Sequence, residues 1–148
     1  MKIRQETDYA IRAIHALIKA KGKPLLSKEI AAAESVPPNY ILTIMCKLKA
    51  AGFVAVTVKT KEQKGGYTLI VDPNKISLFD IITAFEGEIQ INTCLRDEKN
   101  CPNQKNCLVR DEMRRVNDIL NSELKRKSLA EILKERSDPD KYTLDCAG

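Results

Sequence analysis

The sequence predicts a mainly α-helical fold with one small β-hairpin, and three observations support this prediction. Apolar residues recur at helical spacing in several separate segments of the chain. Residues 53–58 and 67–71 are rich in β-branched side chains and have the short, alternating pattern of strands. A long amphipathic segment follows, over residues 107–127. The 148 residues suffice for one domain, or a small domain with an extension, around a buried core.

The first 52 residues predict three helices. Gly22 ends the first, Ser27 is the expected N-cap of the second, and the third opens at Pro37 or Pro38 and has Gly52 as its C-cap. This order of a helix, a short helix, a turn and a further helix is typical of the helix-turn-helix, whose last helix enters the DNA major groove. The expected spans are residues 7–21, 28–34 and 38–51, with buried side chains that include Ile14, Leu17, Ile30, Ile41, Ile44, Met45 and Leu48.

The two predicted strands enclose a lysine-rich turn, residues 59–66, that ends in two glycines. A hairpin with a basic tip after a helix-turn-helix is a wing, and its tip would lie near DNA phosphates or the minor groove. Residues 1–75 carry 13 Lys and Arg against 6 Asp and Glu, whereas residues 76–148 carry 12 against 14. Charge alone would also fit an ordinary solvated face, but together with the motifs it predicts a winged helix-turn-helix DNA-binding domain over residues 1–75.

The candidate DNA contacts fall into two groups. Side chains in the first turns of the third helix are placed to meet base edges, and basic or hydroxyl side chains elsewhere are placed to meet phosphates. The base-contact candidates are Pro38, Asn39, Tyr40 and Thr43. The backbone-contact candidates are Ser27, Lys28, Lys47, Lys59, Lys61 and Lys64, with Gly65 and Gly66 closing the wing.

Three cysteines, Cys94, Cys101 and Cys107, lie within fourteen residues. Three thiolates on one polar loop can hold a metal–sulfur cluster, although ordinary iron–sulfur clusters need a fourth ligand from elsewhere. Structural zinc usually shows Cys-x-x-Cys pairs, whereas the gaps here are six and five residues. The predicted cofactor is therefore a 2Fe–2S or 4Fe–4S cluster, with zinc and redox-active or inert thiols as the alternatives.

The C-terminal half predicts further helices. One begins after Ser77 and ends near Gly87, a long one spans residues 107–127, and Ser128 opens a last short one in a capping box. The long helix carries a single expected stripe of Leu108, Val116, Ile119, Leu120 and Leu124. A second copy of the chain is the simplest partner for this stripe and suits palindromic DNA half-sites, with packing on the chain's own winged domain as the alternative. We expect a cysteine loop and dimerisation helices over residues 76–134 and a flexible tail over 135–148.

Other functional classes are less compatible with the chain. No apolar run approaches a membrane span, and no secretory signal is evident, so a cytoplasmic protein with reduced thiols is expected. No nucleophile–base pair or phosphate-binding glycine loop points to an enzyme. A cluster-free regulator and an iron–sulfur carrier remain alternatives. His15 is expected to be structural and Cys46 to pack as a small apolar residue, while Cys146 has no assignment.

Five segments, taken in order, resemble the Rrf-two family of winged-helix regulators. They are residues 7–12 (TDYAIR), 36–41 (VPPNYI), 48–54 (LKAAGFV), 65–69 (GGYTL) and 76–82 (ISLFDII). With three cysteines before a long helix, the resemblance covers residues 1 to about 134. It implies a homodimeric transcription regulator whose cluster state, responsive to iron, redox status or nitric oxide, sets its affinity for DNA.

The resemblance also bears on the fourth cluster ligand. IscR-like members use a histidine three residues after the third cysteine, where this chain has Arg110, which stays protonated and cannot coordinate iron. NsrR-like members use an aspartate on the first helix of the other subunit, and Asp8 occupies that position. The implied ligands are thus the three cysteines of one subunit and Asp8 of the partner subunit. The alternative for Asp8 is a charge that stabilises the helix N-terminus.

Overall fold

The computed structural model describes residues 2–96, 101–102 and 106–135. Within these residues the fold is mainly helical with one two-stranded antiparallel sheet, as the sequence predicted. The predicted tail falls almost wholly outside the described residues, and the one-turn helix α5 was not predicted. The elements are α1 (Gln5–Lys19), α2 (Ser27–Glu34), α3 (Pro38–Ala50), β1 (Val54–Thr57), β2 (Gly66–Leu69), α4 (Leu78–Glu86), α5 (Thr93–Arg96), α6 (Leu108–Arg126) and α7 (Leu129–Glu135).

Helix α1 lies at the centre of the core and contacts α2, α3, α4 and α7. Its buried face carries Ala10, Ala13, Ile14 and Leu17 at helical spacing, and the small alanines let neighbouring helices approach closely. The same core cluster continues into the C-terminal half through residues such as Ile81. The segments on either side of the expected boundary at residue 75 therefore share one core.

Helices α2 and α3 form the predicted helix-turn-helix. Ser35 adopts a left-handed conformation (φ 54°), and the Val36 N–H donates to the Ala31 carbonyl at 3.0 Å, which closes the turn. The expectation that Ser27 is the N-cap of α2 is wrong, because Leu26 holds that position. Since the Leu26 side chain cannot accept a hydrogen bond, the Glu29 carboxylate caps the turn by accepting the Leu26 N–H at 2.7 Å.

Strands β1 and β2 form the predicted wing, in a register that pairs Val54 with Leu69 and Thr57 with Gly66. Leu25, between α1 and α2, extends this sheet by one residue that the sequence did not predict. Its N–H donates to the Tyr67 carbonyl at 3.0 Å, and the Tyr67 N–H donates back at 2.8 Å. The wing is thereby attached to the segment that leads into α2.

Helix α4 joins the two halves of the chain. Ser77 is its N-cap, as predicted, and the Asp80 carboxylate accepts the Ser77 N–H at 2.8 Å. At the other end, Glu86 Oε1 accepts hydrogen bonds from the fully buried Thr7 hydroxyl at 2.8 Å and from the Arg4 N–H at 2.7 Å. The first turn of α1 is therefore fixed to the last turn of α4.

The apolar residues of α6 divide between two faces, which corrects the single stripe expected from the sequence. Leu120 and Leu124 are half-buried on the face that also carries the buried Asn117, and α6 packs against α4. Leu108 and Ile119 lie on a different face, where 84% and 49% of their surface is exposed. One face of α6 thus packs within the chain, against α4, which lies outside the winged domain that the intramolecular alternative named. The other face is left open to solvent.

Candidate nucleic-acid interface and cysteine segment

The exposed face of α3 is set by the residues that the helix buries. Ile41, Ile44, Met45 and Leu48 point into the core, as predicted, so the helix turns its opposite side outward. At 100° per residue, the line farthest from the core passes through positions 39, 43, 46 and 50. The residues on this line are Asn39, Thr43, Cys46 and Ala50, and all four are exposed.

Cys46 was expected to be buried, and this expectation is wrong. It follows the buried Met45 and precedes the buried Leu48 by two positions, so the helical repeat turns it outward. The neighbouring Leu42 was also missed as a surface residue, although 56% of it is exposed. The spacing of the four core residues was the signal that could have placed both side chains on the outer face.

Tyr40, in contrast, lies toward α1. Its ring centroid is 5.9 Å from that of Tyr9, and about half of its surface is exposed. A shallow cleft of about 370 Å³ separates the first turns of α1 and α3 here, with Asn39 and Thr43 on its outer rim. Of the predicted base-contact candidates, Asn39 and Thr43 therefore face outward, and Tyr40 borders the packed side of the helix.

The predicted phosphate contacts include lysines in two different states. Lys28, Lys59 and Lys61 are exposed, whereas Lys47 is paired with Glu6 of α1, and Lys64, in the wing, is paired with Glu29 of α2. Ser27 is half-buried beside them at the start of α2. Two of the cations predicted to contact DNA are thus already held by carboxylates of the same chain.

The pairing of Lys64 with Glu29 is reflected in the titration of the carboxyl group. The hydrogen bond from Lys64, followed by that from the Leu26 N–H, holds the pKa of Glu29 below its usual value. Because the pKa is lowered by folding, the pair stabilises the fold above the unfolded-state pKa of Glu29. This contribution is lost as the pH falls through the lowered pKa of the folded state.

We expect the Glu6→Gln substitution to strengthen DNA binding, because it frees Lys47 for a phosphate without adding a charge. An exposed pair is easily broken, so the expected gain is only about threefold at low salt. The slope of log affinity against log salt should become steeper by about one unit if a phosphate contact is gained. Fluorescence anisotropy over a salt series measures both quantities. Asp118→Asn, at an exposed position of α6, changes the net charge equally outside α3 and the wing and is the matched control. An equal gain there would contradict a specific role for Glu6.

Gly65 and Gly66 lie where the backbone of the wing leaves no room for a side chain. Gly65 is buried, and Gly66 has a φ of +148° that side-chain-bearing residues rarely adopt. A Cβ atom on Gly66 would lie 2.6 Å from the Leu25 carbonyl carbon and oxygen. Gly66 therefore allows β2 to pass directly against Leu25. A Cβ atom on Gly65 would instead lie 2.9 Å from the Lys59 backbone nitrogen and 3.1 Å from the Thr57 carbonyl oxygen. These close approaches explain both glycines without a contact to DNA.

The cysteine residues lie between α5 and α6. Cys94 is in α5, Cys107 is the N-cap residue of α6, and these two and Cys101 are free and half-buried. Within residues 2–96, 101–102 and 106–135, no three His, Cys, Asp or Glu side chains are close enough to hold one metal ion. The structure thus places the three thiols in one region of the chain without gathering them around a common point.

Asn117 is a residue of this region that the sequence analysis missed. Only 7% of it is exposed, and its side-chain amide bridges to the segment before α5. Its Oδ1 accepts the Ile91 N–H at 2.9 Å, and its Nδ2 donates to the Ile89 carbonyl at 3.1 Å. The sequence did contain a signal for this role. Asn117 lies four residues after Met113 and three before Leu120, which places a polar side chain on the inner face of an amphipathic helix. Asn117 fixes the cysteine-bearing segment to α6.

Asp8 and His15 both lie on α1 and line a cleft of about 510 Å³ between α1, α4 and α7. Asp8 is half exposed and forms an ion pair with Arg12 at 2.9 Å, one helical turn away. His15 Nδ1 is 2.8 Å from Glu34 Oε1, and both of these side chains are mostly buried. His15 thus connects α1 to the end of α2, in the structural role expected of it, and Asp8 is accessible from outside the chain.

None of the described helices is long and apolar enough to span a membrane.

Comparison with known proteins agrees with this architecture. A profile of the family described as "Rrf2: Iron-dependent Transcriptional regulator" matches residues 3–135. The regulator CymR of Bacillus subtilis is 29% identical over 80% of this chain and 84% of its own. Its solved structure, described as that of the global cysteine regulator, superposes with a TM-score of 0.74, covering 91% of this chain and 98% of the other at 25% identity.

Two further relatives carry the names of other regulators. IscR of Vibrio campbellii is 25% identical over 82% of this chain and 73% of its own, and NsrR of B. subtilis is 27% identical over 68% and 67%. These relatives are transcription regulators, so the expectation of a regulator rather than an enzyme is confirmed. The profile spans nearly the whole described chain, from the start of α1 to the end of α7. The chain therefore belongs to the Rrf2 family of winged helix-turn-helix transcriptional regulators.

Proposed function

We propose that this protein is a homodimeric regulator whose affinity for DNA is controlled by an iron–sulfur cluster bound at the cysteine segment. The observation that carries the proposal is the position of three free, half-buried thiols directly before α6, in a chain whose outward-facing α3 suits a major groove. The description of the family as iron-dependent supports the same reading. The site would sense iron, redox status or nitric oxide.

The available donor groups fit such a cluster in number and chemistry. Cys94, Cys101 and Cys107 would supply three thiolates, and Asp8 of the partner subunit would supply an exchangeable carboxylate as the fourth ligand. Arg110 cannot take that place. When bound, the cluster supplies a centre that reacts with oxidants and nitric oxide. In this chain Cys107 begins α6, so any change in how its thiol is held acts directly on the first turn of that helix.

The open face of α6 supports the homodimer. Leu108, Val109, Val116 and Ile119 are exposed on one side of α6, with the ion pair of Glu112 and Arg115 between them. Several large apolar side chains exposed together are a mark of an interface. Helix α6 runs over nineteen residues, which is about 28 Å at 1.5 Å per residue. A second copy that packs along this length would bring two α3 helices together for two half-sites.

We expect Ile119→Glu to make the protein monomeric, because a buried unpaired carboxylate in the interface is costly. The affinity for a two-half-site DNA fragment should fall about a hundredfold, since one reading helix is lost from each complex. Light scattering after gel filtration and anisotropy measure the two effects. Ala84→Glu, at an exposed position of the different helix α4, adds the same charge outside the apolar face of α6. A monomer with that variant, or a dimer with Ile119→Glu, would contradict the interface.

Anaerobic purification tests the cluster directly. The expected product is a coloured protein with stoichiometric iron and sulfide per chain. Its affinity for a DNA duplex enriched from a random library should change by about tenfold or more when the cluster is removed. We expect Asp8→Ala to alter the absorption spectrum and shorten the lifetime of the cluster. Asp111→Ala, which removes an exposed carboxylate near Cys107, should leave both unchanged. A colourless protein, free of iron and sulfide, would contradict the cluster.

A cluster-free regulator of the same fold is the second candidate. Two observations favour it: the described thiols are not gathered around one point, and Asp8 is paired with Arg12. The similarity to CymR, a relative described as a cysteine regulator, points the same way. In this case a small effector or a protein partner would set the affinity for DNA. The iron-free protein would then bind DNA with an affinity that anaerobic iron and sulfide do not change.

A further inference from the structure

The outer line of α3 lacks the side chains that usually read guanine. Asn39, Thr43, Cys46 and Ala50 form this line, and none of them carries a charge. The two cations of the helix are Lys47 and Lys49, each roughly a quarter turn away from the line at 100° per residue. Lys47 is also paired with Glu6 on the side that faces α1. Guanine is most often recognised by Arg or Lys, which donate two hydrogen bonds to its O6 and N7.

The same line offers chemistry that suits A·T base pairs. An asparagine amide can donate to adenine N7 and accept from its N6 amino group, and Asn39 is exposed in the first turn of α3. Apolar and methyl-bearing side chains contact the 5-methyl group of thymine. Thr43 and Cys46 are small and exposed. Leu42 lies about 70° from the line, on the side that also carries Lys49, and has 56% of its surface in solvent.

We propose that α3 reads an A·T-rich half-site in the major groove. Asn39 pairs with adenine, and Leu42, Thr43 and Cys46 form an apolar surface that contacts thymine methyl groups. The proposal rests on the DNA-binding part of the proposed function and is independent of the cluster. It assigns sequence discrimination to Leu42 and Cys46, two side chains that have no structural role in the core.

Selection from a random duplex library with the full-length protein, in both the iron-loaded and the chelator-treated state, tests the proposal first. The expected result is enrichment of duplexes with palindromic half-sites dominated by A·T pairs. Enrichment of half-sites centred on G·C pairs would overturn the proposal alone. If no sequence is enriched in either state, the DNA-binding function itself is contradicted and the proposal with it.

Replacing single thymines of the selected site by uracil then tests the methyl contacts, because this removes only the 5-methyl group. Burial of one methyl group accounts for a loss of about fourfold in affinity. For the Leu42→Ala variant, replacing the thymine that Leu42 contacts by uracil should lower the affinity by less than about twofold. The Cys46→Ser variant should show the same small loss at the thymine that Cys46 contacts. Ile70→Ala is the matched control, because Ile70 is equally exposed (58%) at the base of the wing. If uracil costs the same in all variants, the methyl contacts are absent.

Asn39→Ala provides an independent readout. It should lose about tenfold of the preference for adenine at one position while its binding to poorly matched DNA stays unchanged. Leu42, Cys46 and Asn39 are exposed, so the variants should unfold at the wild-type temperature, and this is checked by circular dichroism. A uniform loss of affinity across all sequences would assign Asn39 to the phosphate backbone instead and overturn its role in reading adenine.

Discussion

Replacing Gly66 with alanine should lower the free energy of unfolding by about 3 kcal/mol. The new Cβ would lie 2.6 Å from backbone atoms of Leu25, which cannot rotate away as a side chain can, and the φ of +148° adds strain. Relief of this clash requires β2 to leave Leu25, which breaks the two hydrogen bonds between Leu25 and Tyr67. Denaturant unfolding followed by circular dichroism measures the loss.

Gly22→Ala is the matched control for this substitution. Gly22 also has a positive φ, +85°, but no atom lies within 4 Å of the Cβ position. Its expected cost is only about 1 kcal/mol, which is the conformational penalty alone. Equal destabilisation by the two variants would contradict the close approach of Gly66 to Leu25. The wing of Gly66→Ala should also be cut more rapidly by trypsin, whose targets include Lys61 and Lys64.

Asn117→Ala should destabilise the fold by about 2–3 kcal/mol. Two backbone groups that Asn117 satisfies, the Ile91 N–H and the Ile89 carbonyl, lose their partner in a largely buried site. The segment that leads to Cys94 should then open more often. We expect faster amide exchange at Ile91 and faster alkylation of Cys94, as measured by mass spectrometry.

Two further substitutions test whether the loss of stability comes from the two hydrogen bonds of the Asn117 side chain. Asn117→Asp keeps the acceptor for the Ile91 N–H but replaces the donor to Ile89 by an oxygen, so it should be at least as destabilising near neutral pH. Asp118→Ala, at the exposed neighbouring position of α6, should change the stability by less than about 0.5 kcal/mol. If Asn117→Ala were as mild as Asp118→Ala, the side-chain bridge to residues 89 and 91 would not hold the segment.

The parts of the fold that depend on local periodicity were predictable from the sequence. Ile41, Ile44, Met45 and Leu48 repeat at three and four residues and form the buried face of α3. Ser77 and Asp80 have the spacing of a capping box and begin α4. Helix ends and core faces follow from neighbours within one or two turns, and the sequence contains that information directly.

Features that depend on distant parts of the chain were not predictable in the same way. The sheet contact of Leu25 with Tyr67 joins residues more than forty positions apart, and it explains why position 66 is a glycine. The ion pair of Lys47 with Glu6 also spans forty-one positions. For Cys46 the residue type suggested burial, but the helical repeat placed it outside. Residue type was a weaker guide than the position on the helix.

For the candidate cysteine site, the sequence identified the residues but not the contacts that position them. The sequence names Cys94, Cys101 and Cys107 and excludes Arg110 as a ligand, and the structure adds that Cys107 begins α6 and that Asn117 holds the preceding segment. The side chain of Asn117 acts through backbone groups twenty-six and twenty-eight residues away. Backbone partners at such a distance leave no periodic pattern in the sequence.

Four consecutive residues at the start of α1, residues 6–9, connect this helix to both α3 and α4. Glu6 is paired with Lys47 of α3, and Thr7 is hydrogen-bonded to Glu86 of α4. The ring of Tyr9 contacts the ring of Tyr40, which is also in α3. The remaining one is Asp8, the carboxylate proposed to reach a partner's cluster. A ligand that draws Asp8 away from Arg12 would therefore pull on the same helical turn that sets the orientation of the reading helix. A displacement there needs no long relay through the core, because the sensing group and the supports of α3 are less than about 6 Å apart along one helix axis.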